Sequence, residues 1–245
     1  MPRFFTENIL WDEKQNTGRG WLTGEDFHHL TRSLRMRSGE AVTLSDGAGT
    51  DYFGTLEEIT ADRAEILLTE KQTSRGEPSV FVTLYAGMPK GDKLELIVQK
   101  AVELGVSRIV PVLTARSISR PDKKAADKRR ERLARVALEA AKQCGRGRVP
   151  EVAALTGFAE AIESAEGKKI FFYEGGGAPL QDCVSTENAE ISIFIGPEGG
   201  FAAEEVDLAK THGAITATLG PRILRTETAP LAALSIIMHL TGNME

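Results

Sequence analysis

At 245 residues the chain is long enough for one large domain or two small ones, and its 41% hydrophobic and 27% charged content is that of an ordinary globular protein. No run approaches an apolar membrane span, the start Met1-Pro2-Arg3-Phe4-Phe5 has no secretory h-region, and Cys144 and Cys183 form neither a metal spacing nor a disulfide framework, so a cytoplasmic protein with free thiols and no metal is expected. The net charge of −5 argues against nucleic acid at face value, yet residues 116–148 hold 12 Lys or Arg against 4 Asp or Glu, which is either a phosphate footprint or a solvated helix face.

Residues 1–74 read as a small β-rich domain. Gly20-Trp21-Leu22-Thr23-Gly24 is a short strand or turn. Phe27, Leu30 and Leu34 fall on one face of a short helix over 26–35. Residues 41–45 and 51–56 are two strands joined by a tight Asp46-Gly47 turn, and 64–68 is another strand. His28 and His29 have no Cys partner nearby in sequence, so a structural or RNA-contacting role fits them better than a metal. Arg32, Arg35 and Arg37 form a small basic cluster suited to bidentate phosphate contact. The segment 72–78 carries Gly76 and Pro78 and reads as a linker, giving domains at 1–74 and 75–245.

From residue 80 onward strands and helices alternate, which describes an α/β domain with a mostly parallel sheet. A strand over 80–86 leads to Asp92, a candidate N-cap for a helix through 104, which Gly105 stops. A strand over 106–113 is followed by Arg116 in a strand-end loop. Residues 122–143 form a long amphipathic helix with Leu133, Val136, Ala137, Ala140 and Ala141 on its apolar stripe. Lys123 and Lys124 crowd its start, against the helix dipole, a cost that phosphate binding could explain. A helix over 158–165, a buried strand over 169–173 ending in Glu174-Gly175-Gly176-Gly177, a helix over 202–212 and a final helix over 226–241 complete the pattern. The last helix has an apolar face, Leu231, Leu234, Ile237 and Met238, that suits the core or a dimer interface.

Two loops of like design stand out in this half. Ile193-Phe194-Ile195-Gly196-Pro197-Glu198-Gly199-Gly200-Phe201 and Ala217-Thr218-Leu219-Gly220-Pro221-Arg222-Ile223-Leu224-Arg225-Thr226-Glu227-Thr228 each run from a short apolar strand through Gly-Pro into a polar loop. Gly199 and Gly200 permit positive φ and close approach of a ligand, and Arg225, Glu227 and Thr228 converge where a helix begins. Either loop alone could be a mere connection. Together, at the carboxyl ends of strands, they describe a ligand crevice. No Gly-x-Gly-x-x-Gly follows the first strand of this domain and no Walker A motif is present, which sets aside a Rossmann dehydrogenase and a P-loop enzyme. A non-catalytic RNA-binding adaptor would need neither loop.

On these motifs the chain resembles the SPOUT methyltransferases, and within them the small-subunit ribosomal RNA uridine-N3 methyltransferases (the RsmE-like family). Arg3-Phe4-Phe5, His28-His29-Leu30, Asp46-Gly47, Lys90, Lys93 and Glu103-Leu104-Gly105 extend the resemblance along most of the chain. It implies a PUA-like RNA-binding β-barrel, then a SPOUT domain with a deep trefoil knot, S-adenosylmethionine as methyl donor, a homodimer, and 16S rRNA as partner with a uridine of the decoding region as target. Leu133 departs from the tryptophan usual in the family. The cofactor candidates are Gly196, Pro197, Gly199, Gly200, Leu219, Gly220, Ile223, Leu224 and Thr228. Arg225 is the candidate for stabilising the uracil anion, and Glu198 and Glu227 are the candidate carboxylate bases, provided their pKa values are raised. Arg3, Arg32, Arg35, Lys90, Lys93, Arg116, Arg120, Lys123 and Lys124 are the RNA-facing candidates.

Overall fold

The computed structural model describes residues 1–244. Its backbone divides into two compact units, one of Met1–Glu77 with Ala141–Val149, the other of Pro78–Ala140 with the remainder from Pro150.

In the first unit six strands form one sheet: β1 (Arg3–Phe5), β2 (Ile9–Asp12), β3 (Thr17–Thr23), β4 (Ala41–Ser45), β5 (Thr50–Ile59) and β6 (Arg63–Thr73). Their order is β1-β4-β5-β6-β3-β2, antiparallel except for β1 on β4. Alternation sets the faces: Ala64, Ile66 and Leu68 of β6 are buried while the residues between them are not. β1 and β2 lie at opposite edges of the sheet, yet only Thr6-Glu7-Asn8 joins them. Four Cα steps reach about 15 Å, whereas six flat strands would hold the edges about 24 Å apart. The sheet is therefore rolled into a barrel-like form around Phe4, Leu22, Leu44, Leu56 and Ile66. The helix expected over 26–35 starts earlier and changes pitch. It is α1 (Gly24–His28) continued by a π-helical turn (His29–Ser33), and it buries Phe27 and Leu30.

Arg3, offered as an RNA contact, is engaged within the chain. Its guanidinium makes a bidentate pair with Asp51, at 2.8 and 2.6 Å, and donates to the carbonyl of Arg146 at 2.9 Å. The segment expected to be a free linker is also tied down. The Glu77 carboxylate accepts hydrogen bonds from Arg146 Nη2 at 2.8 Å, from Gly147 N at 2.9 Å and from Arg148 N at 3.0 Å. A chain cut near residue 75 would thus strip this unit's partners from 141–149. Replacing Arg3 with methionine leaves Asp51, 2% exposed, without its cation. We expect a loss of about 3 kcal/mol in this unit's stability, measured by urea unfolding. Both tryptophans, Trp11 and Trp21, lie in this unit and report on it by fluorescence.

The second unit is a parallel sheet. Its elements are β7 (Phe81–Gly87), α2 (Lys93–Glu103), β8 (Arg108–Leu113), α3 (Lys123–Cys144), β9 (Glu151–Val152), β10 (Thr156–Gly157), α4 (Phe158–Ser164), β11 (Lys168–Phe172), β12 (Ala178–Pro179), α5 (Leu180–Cys183), β13 (Glu190–Ile195), α6 (Ala203–Thr211), β14 (Ile215–Thr218) and α7 (Ala229–Leu240), the end of α3 belonging to the first unit. The strand order is β10-β8-β7-β13-β11-β14-β12, with β9 beside β8. The central strands are near-continuous apolar runs, as burial on both faces requires: five of six residues in β13 are buried. Tyr85 stacks on Phe194 with ring centroids 4.3 Å apart, and Phe158, Phe171 and Phe201 complete that cluster.

Three helix starts carry detail that the sequence did not show. Asp92 occupies the N-cap of α2 but its side chain does not cap, because it accepts from Arg132 at 3.0 Å. Asp122 caps α3 instead, accepting from Ala125 N at 2.8 Å, and so offsets the lysines in that first turn. The last helix begins at Ala229, leaving Arg225 in the loop before it. Pro230, Ala233, Leu234, Ile237 and Met238 of α7 are buried within the chain, so its apolar face serves the core.

Candidate active site

β13, β11 and β14 are neighbours in the sheet and parallel, so their carboxyl ends open on one rim. The loops that follow them enclose a crevice of about 910 Å³, within the usual size for a small-molecule site. Gly196, Pro197, Glu198 and Gly200 line it from the first loop, and the run from Leu219 through Thr226 lines it from the last. Of the cofactor candidates, Gly196, Pro197, Gly200, Leu219, Gly220, Ile223 and Leu224 reach this wall. Gly199 and Thr228 are not among its lining residues. A Cβ on Gly199 would meet Arg116 Cβ at 3.1 Å, and Gly199 has no positive φ, whereas Gly200 sits at φ +64° and Gly220 at +100°.

The Glu174 glycine run, read in the sequence only as the end of a buried strand, forms a third loop on the rim. Phe172, Tyr173, Glu174, Gly175 and Gly176 supply a wall of the crevice. The available signal was a buried strand ending in glycines, the same design as the other two loops in shorter form. Arg222 and Arg225 are both exposed and both line the crevice, so two cations stand at its mouth.

The carboxylates behave contrary to expectation. Lys93, offered as an RNA contact, is the first residue of α2 and places its Nζ 3.1 Å from Glu198 and 3.1 Å from Glu227. Burial would raise the Glu198 pKa, but the N–H groups of Glu198 and Lys90 and the Lys93 ammonium outweigh it and hold the carboxyl below its ordinary value. Glu227 is lowered by its own backbone N–H and by Lys93. In turn Glu198, then Glu227, raises the Lys93 pKa. A general base needs its pKa moved toward neutrality. Both glutamates are moved the other way.

The remaining RNA candidates divide by what their side chains touch. Arg116 donates to the carbonyl of Gly199 at 2.9 Å, and Arg120 donates to the carbonyls of Thr114 at 2.8 Å and Ala115 at 3.1 Å. Arg116 thus braces the first crevice loop, and Arg120 braces the loop that follows β8. Lys90, Lys123 and Lys124 are exposed, as are Arg32 and Arg35 in the first unit. His29 packs edge-on against Phe4 and His28 lies against Phe27.

The fold and the crevice define an RNA methyltransferase: the family described as RNA methyltransferase domain matches residues 76–238, and the RNA methyltransferase PUA domain matches residues 22–69. The chain is 36% identical to the ribosomal RNA small subunit methyltransferase E of Bacillus subtilis, over 98% of this chain and 97% of that one. It is 32% identical to the Synechocystis protein of the same name, over 89% of this chain and 72% of that one. The Neisseria gonorrhoeae ribosomal RNA small subunit methyltransferase E, solved bound to S-adenosyl methionine, superposes with a TM-score of 0.86 at 33% identity, covering 98% of both chains. This chain therefore belongs to the ribosomal RNA small subunit methyltransferase E family.

Proposed function

We propose that this protein transfers the methyl group of S-adenosylmethionine to N3 of a specific uridine in the 16S rRNA of the small ribosomal subunit, in the decoding region. The observation that carries the reading is the crevice: three adjacent strand ends, backbone-rich glycine loops and two arginines at one mouth. Its wall fits the donor. Ile195, Leu219 and Leu224 offer an apolar surface for a purine ring, and Glu174 offers a negative charge toward a cationic ligand. When bound, the donor supplies a methyl group already activated by a positive sulfonium. The protein must orient the uracil and favour loss of its N3 proton. With Glu198 and Glu227 held by Lys93, we assign neither to take that proton. It leaves to solvent while Arg225 holds the negative charge that develops on the O2 and O4 oxygens.

The test is titration of the purified protein with S-adenosylmethionine, followed by methyl transfer to small subunits and mapping of the modified nucleotide. Heat of binding and one N3-methylated uridine are expected. RNA binding without heat from S-adenosylmethionine would favour the adaptor instead.

Lys123 and Lys124, both exposed in the first turn of α3, are the side chains we assign to RNA phosphate. Replacing both with alanine should reduce the salt slope of RNA binding by roughly one unit per lost contact and leave S-adenosylmethionine affinity unchanged. An unchanged slope would return them to a solvated face. The same reading carries the deep trefoil knot. Thr226 Oγ1 donates to the Gly196 carbonyl at 3.0 Å, which lays the last loop against the first. The reading also carries a two-fold dimer, expected to sediment near twice 26.6 kDa, and a cytoplasmic location. Among the described residues no helix is long and apolar enough to cross a membrane.

A further inference from the structure

The first and last loops of the crevice both carry an inward-tied glutamate. Glu198 follows β13 and Glu227 follows β14, strands that β11 separates in the sheet. Two carboxylates brought together in a partly dry cleft repel, and the repulsion acts to part the loops that carry them. The Lys93 ammonium lies 3.1 Å from each, with its own side chain 35% exposed and those of Glu198 and Glu227 29% and 21% exposed. Lys93 reaches them from a third element, the start of α2, and lines the same crevice. Glu198 is held further by the backbone N–H of Lys90, at 3.3 and 3.4 Å to its two oxygens.

We propose that Lys93 is a positioning residue, a clasp whose single positive charge holds the Gly196–Gly200 loop and the Leu219–Thr228 loop together around the cofactor. It touches neither reacting atom and acts through the two glutamates. The proposal rests on the crevice being the S-adenosylmethionine site. It separates charge from packing, because a clasp of this kind is needed only while both carboxylates are ionised.

The experiment is a charge-rescue cycle read as the S-adenosylmethionine dissociation constant, by calorimetry on the full chain. Lys93→Met keeps the length of the side chain and removes the charge, and should weaken binding about tenfold or more, the usual scale of coupling among contacting charges. Lys93→Arg should recover most of the affinity. Adding Glu227→Gln to Lys93→Met removes the repulsion and should bring binding back to within about threefold of the unaltered protein. Circular dichroism checks folding, and Lys93→Gln stands in if the methionine variant does not fold. If the unaltered protein binds the cofactor and Lys93→Met binds it equally well, the clasp is wrong and the cofactor site stands. If Lys93→Met weakens binding and Glu227→Gln gives no rescue, Lys93 acts by packing and the proposal is overturned. No binding by the unaltered protein would instead overturn the assignment of the crevice.

Discussion

Replacing Arg225 with alanine should lower single-turnover methyl transfer to small ribosomal subunits by about a hundredfold or more, while S-adenosylmethionine affinity stays within a few fold. Arg225 is exposed and lines the mouth of the crevice, so its guanidinium is free to meet a base entering from outside. The position of the loop does not depend on that side chain. The Arg225 carbonyl accepts hydrogen bonds from Thr228 N at 2.8 Å and Ala229 N at 3.0 Å, and both survive truncation. On the proposed role, alanine removes a cation that meets charge present only as the N3 proton leaves, and losing such an interaction lowers the rate without weakening the ground state. Arg225→Lys keeps the charge but loses the planar fork, and should recover only part of the rate. Tritiated methyl transfer beside titration of the cofactor makes the measurement. Equal losses of rate and cofactor affinity would make Arg225 a cofactor-pocket residue and end its catalytic assignment.

Replacing Gly200 with valine should weaken S-adenosylmethionine binding on the order of a hundredfold and reduce methyl transfer with it. Gly200 holds φ at +64°, where a side chain costs about 1–2 kcal/mol and a β-branched one is least tolerated. A Cβ there would lie 3.5 Å from Glu174 Oε1, and both Gly200 and Glu174 line the crevice. The valine methyls would therefore take space from the ligand as well as straining the turn. Gly199→Ala is the comparison. Its Cβ faces Arg116 rather than the crevice, so its effect on binding should be smaller. Circular dichroism establishes that the variants fold. A folded Gly200→Val protein with unaltered affinity would remove the first loop from the cofactor site.

The α/β character of the second unit, most of its strands and helices and the two Gly-Pro loops were legible in the sequence because they are local. Five successive buried positions in β13, a glycine at a strand end and a proline after it are written in consecutive residues. The strands β1 and β2 were missed because short edge strands carry little periodicity, and they become strands by pairing with β4 and β3. The backbone of the candidate site was legible, and the partners of several of its side chains were not. Gly196, Gly200 and Leu219, offered as cofactor contacts, line the crevice, because turn residues at strand ends mark where the loops open.

The partners of the charged side chains were decided only by the tertiary structure. A sequence reports that Arg3, Lys93, Glu198 and Glu227 are charged, and residue type alone favours solvent or phosphate for the cations and solvent or proton transfer for the carboxylates. Folding brought Arg3 to Asp51, Lys93 to Glu198 and Glu227, and Glu77 to Arg146. Each pairing joins different elements distant along the chain, and no local pattern encodes it. A charge loses its hydration as it enters a fold, and the nearest opposite charge or N–H donor then decides both its pKa and its function.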